Sequence, residues 1–145
     1  MATLVFDQEY RIARDTPSDI NEHIEVLKNL ADSVEHVTEM GTRTGVSTRA
    51  FLASDVTLRA YDLFLDGYVS QLFELAQKEG KDAKYIEANV LETEIDETDL
   101  LFIDTWHCYD QLYAELTKHA PKVKKYIAFH DTQTYGTRSE EFMGR

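Results

Sequence analysis

The sequence predicts an α/β fold built on a doubly wound parallel sheet, and three observations predict it. Apolar runs of strand length alternate with helical periodicity along most of the chain, the pattern of successive βαβ crossovers. A glycine-spaced turn, Glu39-Met-Gly41-Thr-Arg-Thr-Gly45-Val-Ser47, lies between the first strand and a helix. Two apolar strands end in acid and histidine: Asp99-Leu-Leu-Phe-Ile-Asp104-Thr-Trp-His107 and Tyr126-Ile-Ala-Phe-His130-Asp131. Ligands of open parallel sheets bind beyond the carboxyl ends of the strands, so these residues are expected at one rim.

The elements follow in order. Ile20, Ile24, Leu27, Ala31 and Val34 keep helical spacing, with Thr16 as N-cap, Pro17 at the first helical position and Asp19 at the third. His36 to Met40 is the first strand, and a helix runs from near Gly45 to about Ala53. Val56, Leu58 and Ala60 alternate with Thr57, Arg59 and Tyr61 in a strand that ends at Asp62. Val69, Leu72, Phe73 and Ala76 share a helix face, and Gly80 stops that helix. Lys84 to Ala88 is the third strand and Leu100 to Asp104 the fourth, its apolar run long enough for burial on both faces. Tyr109, Leu112, Tyr113 and Leu116 predict a helix, Pro121 closes it, and Lys125 to Phe129 is the fifth strand. Tyr109, Tyr113 and Tyr126 read as packing residues.

The 145 residues, 43% hydrophobic, make one domain with one core. It divides into an N-terminal segment and helix (1–33), a core (34–131) and a polar tail (132–145). Formal net charge is −12, from 15 Lys and Arg against 27 Asp and Glu, which disfavours a general grip on nucleic-acid phosphate. Lys122, Lys124 and Lys125 form the only basic cluster and read as loop solvation. No apolar run is long enough to span a bilayer, and no signal peptide is visible. The one cysteine, Cys108, excludes an internal disulfide framework, fits a reducing cytoplasm and reads as a small core residue.

In the glycine turn, Gly41 permits a sharp bend, and Gly45 permits close approach of a ligand or tight packing. The helix start behind it suits an anionic or carboxylate-bearing group. The spacing is G-x-x-x-G, not the dinucleotide G-x-G-x-x-G, and a turn with no ligand is the competing reading. Asp62 adds weight: it ends the second strand, where nucleotide-binding α/β folds place an acid that accepts from ribose hydroxyls. Its alternative is a helix cap, for which Asp66 is better placed. Asn89 ends the third strand and is either an adenine- or ribose-edge contact or a turn residue.

Glu39-x-Gly41-x-x-x-Gly45, Asp62 and Asp104 in this order resemble class I S-adenosylmethionine-dependent methyltransferases, over about Val34 to Gly136. Phe102-Ile-Asp104-x-x-His107-x-Tyr109 and Phe129-His130-Asp131-Thr132 are similar to the small-molecule O-methyltransferases, nearest to the branch called methyltransferase family 24 or cephalosporin hydroxylase-like. With the periodicity, the resemblance implies a Rossmann-like sheet of order 3-2-1-4-5. It places Glu39, Gly41, Thr42, Gly45 and Ser47 around the methionine part of the cofactor, Asp62 on the ribose, and Asn89 with Val90 beside the adenine. It implies a divalent-metal set of Asp104, His130 and Asp131, in which His130 departs from the usual oxygen ligand. His107 stands where catechol-type enzymes place a lysine near the substrate hydroxyl.

Methyl transfer to oxygen is an in-line displacement at a sulfonium, so the protein aligns the partners and ionises the nucleophile. A cation such as Mg²⁺ bound by oxygen ligands, or a histidine base, serves that end. Asp104 and His107 are the candidate catalytic pair. Their alternatives are a helix N-cap for Asp104 and a packed or capping histidine for His107. Trp106 either walls the methyl-donor pocket or fills core. The expected partner is a small hydroxylated acceptor, with no nucleic acid and no membrane. The strand hairpin that usually completes such sheets is not visible after Asp131. A minimal form, a truncated form, or a second subunit or copy covering the fifth strand are the expectations that follow. A noncatalytic cofactor-binding module is the rival to an enzyme.

Overall fold

The structure is a computed structural model that describes residues 4–18, 20–105 and 109–130. Five strands form one sheet: β1 (His36–Met40), β2 (Thr57–Asp62), β3 (Ala83–Glu87), β4 (Thr98–Ile103) and β5 (Val123–Phe129). Their order is β3-β2-β1-β4-β5, with every neighbouring pair parallel, as expected. Among the described residues, five α-helices accompany them: α1 (Leu4–Asp15), α2 (Ile24–Asp32), α3 (Val46–Leu52), α4 (Gly67–Lys78) and α5 (Tyr109–His119). The expected C-terminal tail, and the absence of a hairpin from it, lie outside the described residues.

The alternation of side chains along the strands explains the layering. Val37, Leu58, Ala60, Leu100 and Phe102 pack with α1 to α4 on one face. Met40, Tyr61, Leu101 and Ile103 pack on the other with Val90 and Ile95, and Leu112 and Leu116 of α5 lie against them. Leu100 to Ile103 is therefore buried on both faces, as its unbroken apolar run requires. Asp66 caps α4 by accepting from Val69 N–H at 3.1 Å, and Gly80 leaves that helix with φ +85.

Three readings need correction. Thr16 does not start a helix; its N–H donates to Ile12 O at 3.0 Å and finishes α1, a helix that places Phe6, Tyr10 and Ala13 in the core. The next turn is set by Ser18, whose Oγ accepts from Ile20 and Asn21 N–H while Asn21 Oδ1 accepts from Ser18 N–H. That reciprocal pair opens a 3₁₀ turn at Asn21–His23 ahead of α2; Asp19 lies outside the described residues. The tyrosines are not packing residues: Tyr109 and Tyr113 stack on each other in solvent, 70% and 61% exposed, and Tyr126 is exposed on β5. Glu115 and His119 are the buried residues of α5 instead. The lysines do not belong to a loop either. Lys124 and Lys125 lie exposed on β5, and Lys122 donates to Glu94 and to Ile95 O.

Thr38 of β1 is buried, and its Oγ1 has no hydrogen-bond partner. A buried hydroxyl without a partner costs stability that an apolar group of the same shape does not. Thr38→Val should raise stability by about 0.5–1.5 kcal/mol, read as a higher urea midpoint at unchanged slope. A lower midpoint would mean that the hydroxyl is satisfied.

Candidate functional site

β1 runs into Gly41 at φ +86, and Gly45 follows at φ +85. Conformation is one reason for glycine here and space is the other. A Cβ on Gly41 would lie 2.2 Å from the backbone oxygen of Asp104, and one on Gly45 would lie 2.7 Å from Val69 Cγ2 of α4. Backbone bonds fasten the turn to the strand ends around it. Gly41 N–H donates to Tyr61 O at 2.9 Å, Asp104 N–H to Met40 O at 2.8 Å, and Gly45 N–H to Thr42 O at 3.0 Å. Thr42 Oγ1 donates to Tyr61 O at 3.3 Å. The carboxyl ends of β1, β2 and β4 are thereby gathered around Gly41.

Glu39 lies beneath this turn, fully buried. Ser47 Oγ donates to its Oε2 at 2.5 Å, and Thr48 Oγ1 donates to Oε1 at 2.8 Å. The first residues of α3 therefore aim their hydroxyls inward at Glu39. α3 is short, seven residues. Burial pushes the Glu39 carboxyl from 4.5 up to about 8; the Ser47 and Thr48 bonds oppose this, and the charges of Asp104 and Asp62 add to it. Burial thus favours the protonated form of Glu39 beneath the turn.

Asp62 stands across from the turn at the end of β2. Its Oδ2 accepts from Arg43 N–H and its Oδ1 from Leu63 N–H, both at 2.7 Å. Both oxygens are aimed by backbone, and each keeps a lone pair for a hydroxyl. Asp62 O accepts from Ala88 N–H at 2.9 Å, which sets the loop after β3 beside it. Asn89 in that loop is exposed, and its Oδ1 accepts from Leu91 N–H at 2.9 Å, the turn role. Val90 is buried, and its carbonyl accepts from His119 Nε2 of α5 at 2.6 Å. His119 Nε2 therefore carries a proton; burial lowers the His119 pKa, and the bond to Val90 opposes that shift.

Asp104 follows β4, buried to 5% exposure. Arg43 reaches it from the turn, Nη2 to Oδ1 at 3.5 Å, with the arginine side chain 47% exposed. The next residue, Thr105, donates to Glu115 Oε2 at 2.5 Å, and Gln111 donates to the same oxygen at 2.9 Å; both bonds fix the passage from β4 into α5. His130 is buried after β5, its N–H on Ile103 O at 3.2 Å and its ring 6.3 Å from that of His23, edge to face. Asp104 and His130 therefore follow the ends of two adjacent parallel strands. Trp106, His107 and Asp131 lie outside the described residues. No group of three or more His, Cys, Asp or Glu is arranged for a metal ion among the described residues.

Arg43, Thr48 and Glu115 are site residues that the sequence reading missed. Thr48 carries the clearest signal, a second hydroxyl directly after Ser47. Arg43 sits within the turn motif but at φ +52, a left-handed conformation rare for a residue with a side chain.

No protein-family profile matches the chain, and no curated protein matches it by sequence. Solved structures do match. A Staphylococcus aureus protein assigned as a caffeoyl-CoA O-methyltransferase superposes with a TM-score of 0.55 at 19% identity, covering 84% of this chain and 69% of its own. The N-methyltransferase NodS from Bradyrhizobium japonicum WM9, in complex with S-adenosyl-L-homocysteine, gives 0.61 at 15%, covering 86% and 70%. The 1,6-didemethyltoxoflavin-N1-methyltransferase of Burkholderia thailandensis, also with S-adenosylhomocysteine, gives 0.58 at 18%, covering 83% and 55%. The likeness establishes a shared Rossmann-like fold.

The protonated Glu39 has a measurable consequence. Between pH 4.5 and about 8 the folded chain keeps a proton on Glu39 that the unfolded chain releases. That contribution is full below the unfolded value, falls as pH rises through the window and levels off above it. Glu39→Gln keeps a donor and an acceptor in the same shape without titrating. Urea unfolding at about pH 5 and about pH 8.5 should show the variant gaining on the wild type by more than ~1 kcal/mol at the higher pH. Parallel profiles would mean that Glu39 is ionised throughout.

Proposed function

We propose that this chain binds S-adenosylmethionine at the Gly41–Gly45 turn and transfers its methyl group to the oxygen of a small hydroxylated acceptor. The observation that carries the reading is Asp62: a carboxylate at the end of β2 whose two oxygens are aimed by Arg43 and Leu63 N–H across from the turn. A vicinal diol presents two donors to such a group, and a carboxylate only accepts. Leu63 and Phe64 are exposed immediately beyond it and offer apolar surface to a base. The neighbours' names include both O- and N-methyltransferases; the likeness of the Asp104 segment to O-methyltransferases favours oxygen.

When bound, S-adenosylmethionine supplies a methyl group already activated on a sulfonium. The chain's part is alignment. Gly41 lets the Asp104 backbone close on the turn, Asp62 fixes the nucleoside end, and Val90, held by His119, borders it. Asp104 at the rim of β4 faces the incoming hydroxyl. Of the expected metal set, the described residues provide one carboxylate and one imidazole, Asp104 and His130, and Asp131 is outside them. That pair suits a borderline ion better than Mg²⁺, which prefers oxygen. Chelation separates the versions. Activity that survives EDTA leaves proton removal to a protein group such as His107; activity lost to EDTA and restored by Mg²⁺ shows that an ion is required.

Asp62→Ala should weaken S-adenosylhomocysteine binding by about 1–3 kcal/mol, since it removes charge-assisted bonds. Calorimetry on wild type and variant measures this, and competition by NAD tests which nucleotide the site prefers. Unchanged affinity would remove the ribose assignment, and displacement by NAD would replace the methyl donor with a dinucleotide.

A further inference from the structure

Two helices begin at the candidate site. α3 follows the Gly41–Gly45 turn, and α4 follows the loop from Asp62 to its cap, Asp66. Glu9 of α1 joins them. Tyr68, the second residue of α4, donates its hydroxyl to Glu9 Oε1. Arg49 of α3 brings Nη1 to 3.7 Å from the same oxygen. The Arg49 guanidinium also lies over the Tyr68 ring, 5.5 Å from its centroid, so the three side chains form one cluster. Among the described residues, Glu9 is the one side chain with a polar contact to both helices.

Bonds continue from each helix to the cleft. Arg49 N–H donates to Gly45 O at 3.2 Å, the last residue of the turn. Next to Tyr68, Val69 N–H donates to the Asp66 carboxylate at 3.1 Å, and Asp66 N–H donates to Tyr85 Oη at 3.0 Å. A Cβ on Gly45 would meet Val69, so the two helix starts lie in close apolar contact. Apolar contact brings surfaces together but has no direction, and it leaves one helix able to slide on the other. Bonds from both helices to one carboxylate oxygen are directional and charge-assisted, so they fix that offset.

We propose that Glu9 is a positioning residue for the donor site: by holding Arg49 and Tyr68 to one carboxylate, it sets the spacing between the Gly41–Gly45 turn and the Asp62 loop. The inference rests on the methyl-transfer reading for its ligand. Under that reading the nucleoside meets Asp62 and the amino-acid end meets the turn, so one molecule reaches both. A ligand that engages two places gains over its parts only when their separation matches its length. Glu9 acts on that match through the helices and not on the ligand.

Calorimetric titration of S-adenosylhomocysteine and of methylthioadenosine, which lacks the amino acid, into the full chain tests it. The ratio of the two affinities reads the spacing, and a general loss of folded protein divides out. Tyr68→Phe removes the hydroxyl and leaves the Glu9–Arg49 pair and the ring in place. It should lower the preference for S-adenosylhomocysteine about fivefold, the scale of one lost hydrogen bond, with methylthioadenosine changed by less than about twofold. Glu9→Ala should lower the preference at least as far. Glu9→Gln still accepts from Tyr68 and should fall between Glu9→Ala and wild type. A preference unchanged in Tyr68→Phe and Glu9→Ala, or both ligands weakened equally, overturns the inference and leaves Glu9 a contact of the fold alone. If the wild type shows no preference for S-adenosylhomocysteine, or binds neither ligand, the methyl-transfer reading falls and amide exchange decides the spacing. Val69 and Ser70 N–H, at the start of α4, should then exchange faster in Tyr68→Phe at an unchanged urea midpoint. Unchanged exchange there overturns the inference as well.

Discussion

The contact on which the site depends is the one between Gly41 and the backbone of Asp104. Two adjacent parallel strands can end side by side only if the chain leaving one does not collide with the chain leaving the other. A Cβ at Gly41 would sit 2.2 Å from Asp104 O, so the β1 and β4 exits share a space that admits no side chain. Gly41 N–H on Tyr61 O and Asp104 N–H on Met40 O draw the exits of β2 and β4 to the same point. Asp62, Asp104 and the turn converge as a consequence, before any ligand is considered.

Convergence brings carboxyl groups together, and the structure handles each differently. Glu39 is removed from water, which favours its protonated form, and Ser47 and Thr48 donate to it. Asp62 is held between two backbone N–H groups. Asp104 has the guanidinium of Arg43. A buried ionised group is costly without a partner, and these three solutions allow acids from three strand ends to surround one turn. They also give the turn a gradient of exposure, from the closed floor at Glu39 to the open arginine.

Much of this was legible in the sequence. Alternating helical and strand periodicity, with a glycine turn after the first strand, was enough for the order 3-2-1-4-5, because parallel crossovers leave few arrangements. The positions of Asp62 and Asp104 were legible because each closes a strand, alternating in one case and wholly apolar in the other. α1 was not: Phe6, Tyr10 and Ala13 have helical spacing but are hidden among Asp7, Glu9, Arg11, Arg14 and Asp15. Thr16-Pro17 has the form of a helix start, yet Ser18 two residues on makes the bonds. The stripe on α5 gave the helix and the inward Leu112 and Leu116, but Tyr109 and Tyr113 lie in solvent while Glu115 and His119 are buried through their own bonds. Arg43 has no sequence signature, since positive φ in a residue with a side chain is a property of the folded turn. Trp106, His107 and Asp131 rest on sequence alone.

The two faces of the sheet are covered unequally, and this divides the molecule by cooperativity. α1 to α4 bury Phe6, Ile24, Phe51, Leu52 and Phe73 on one face, while α5 offers partly buried Leu112 and Leu116 to the other and anchors itself through Thr105 and Val90. Elements with few buried apolar contacts open at a smaller fraction of the global unfolding free energy. Amide protons of α5 should therefore exchange through sub-global opening, ahead of those in α3 and β1, which report the whole domain. The turn, Glu39 and Asp62 belong to the slow-exchanging unit, while the bonds from α5 that brace Val90 and the segment after Asp104 belong to the faster one. One side of the cleft is as rigid as the fold itself; the other can re-form around what it meets without unfolding the rest.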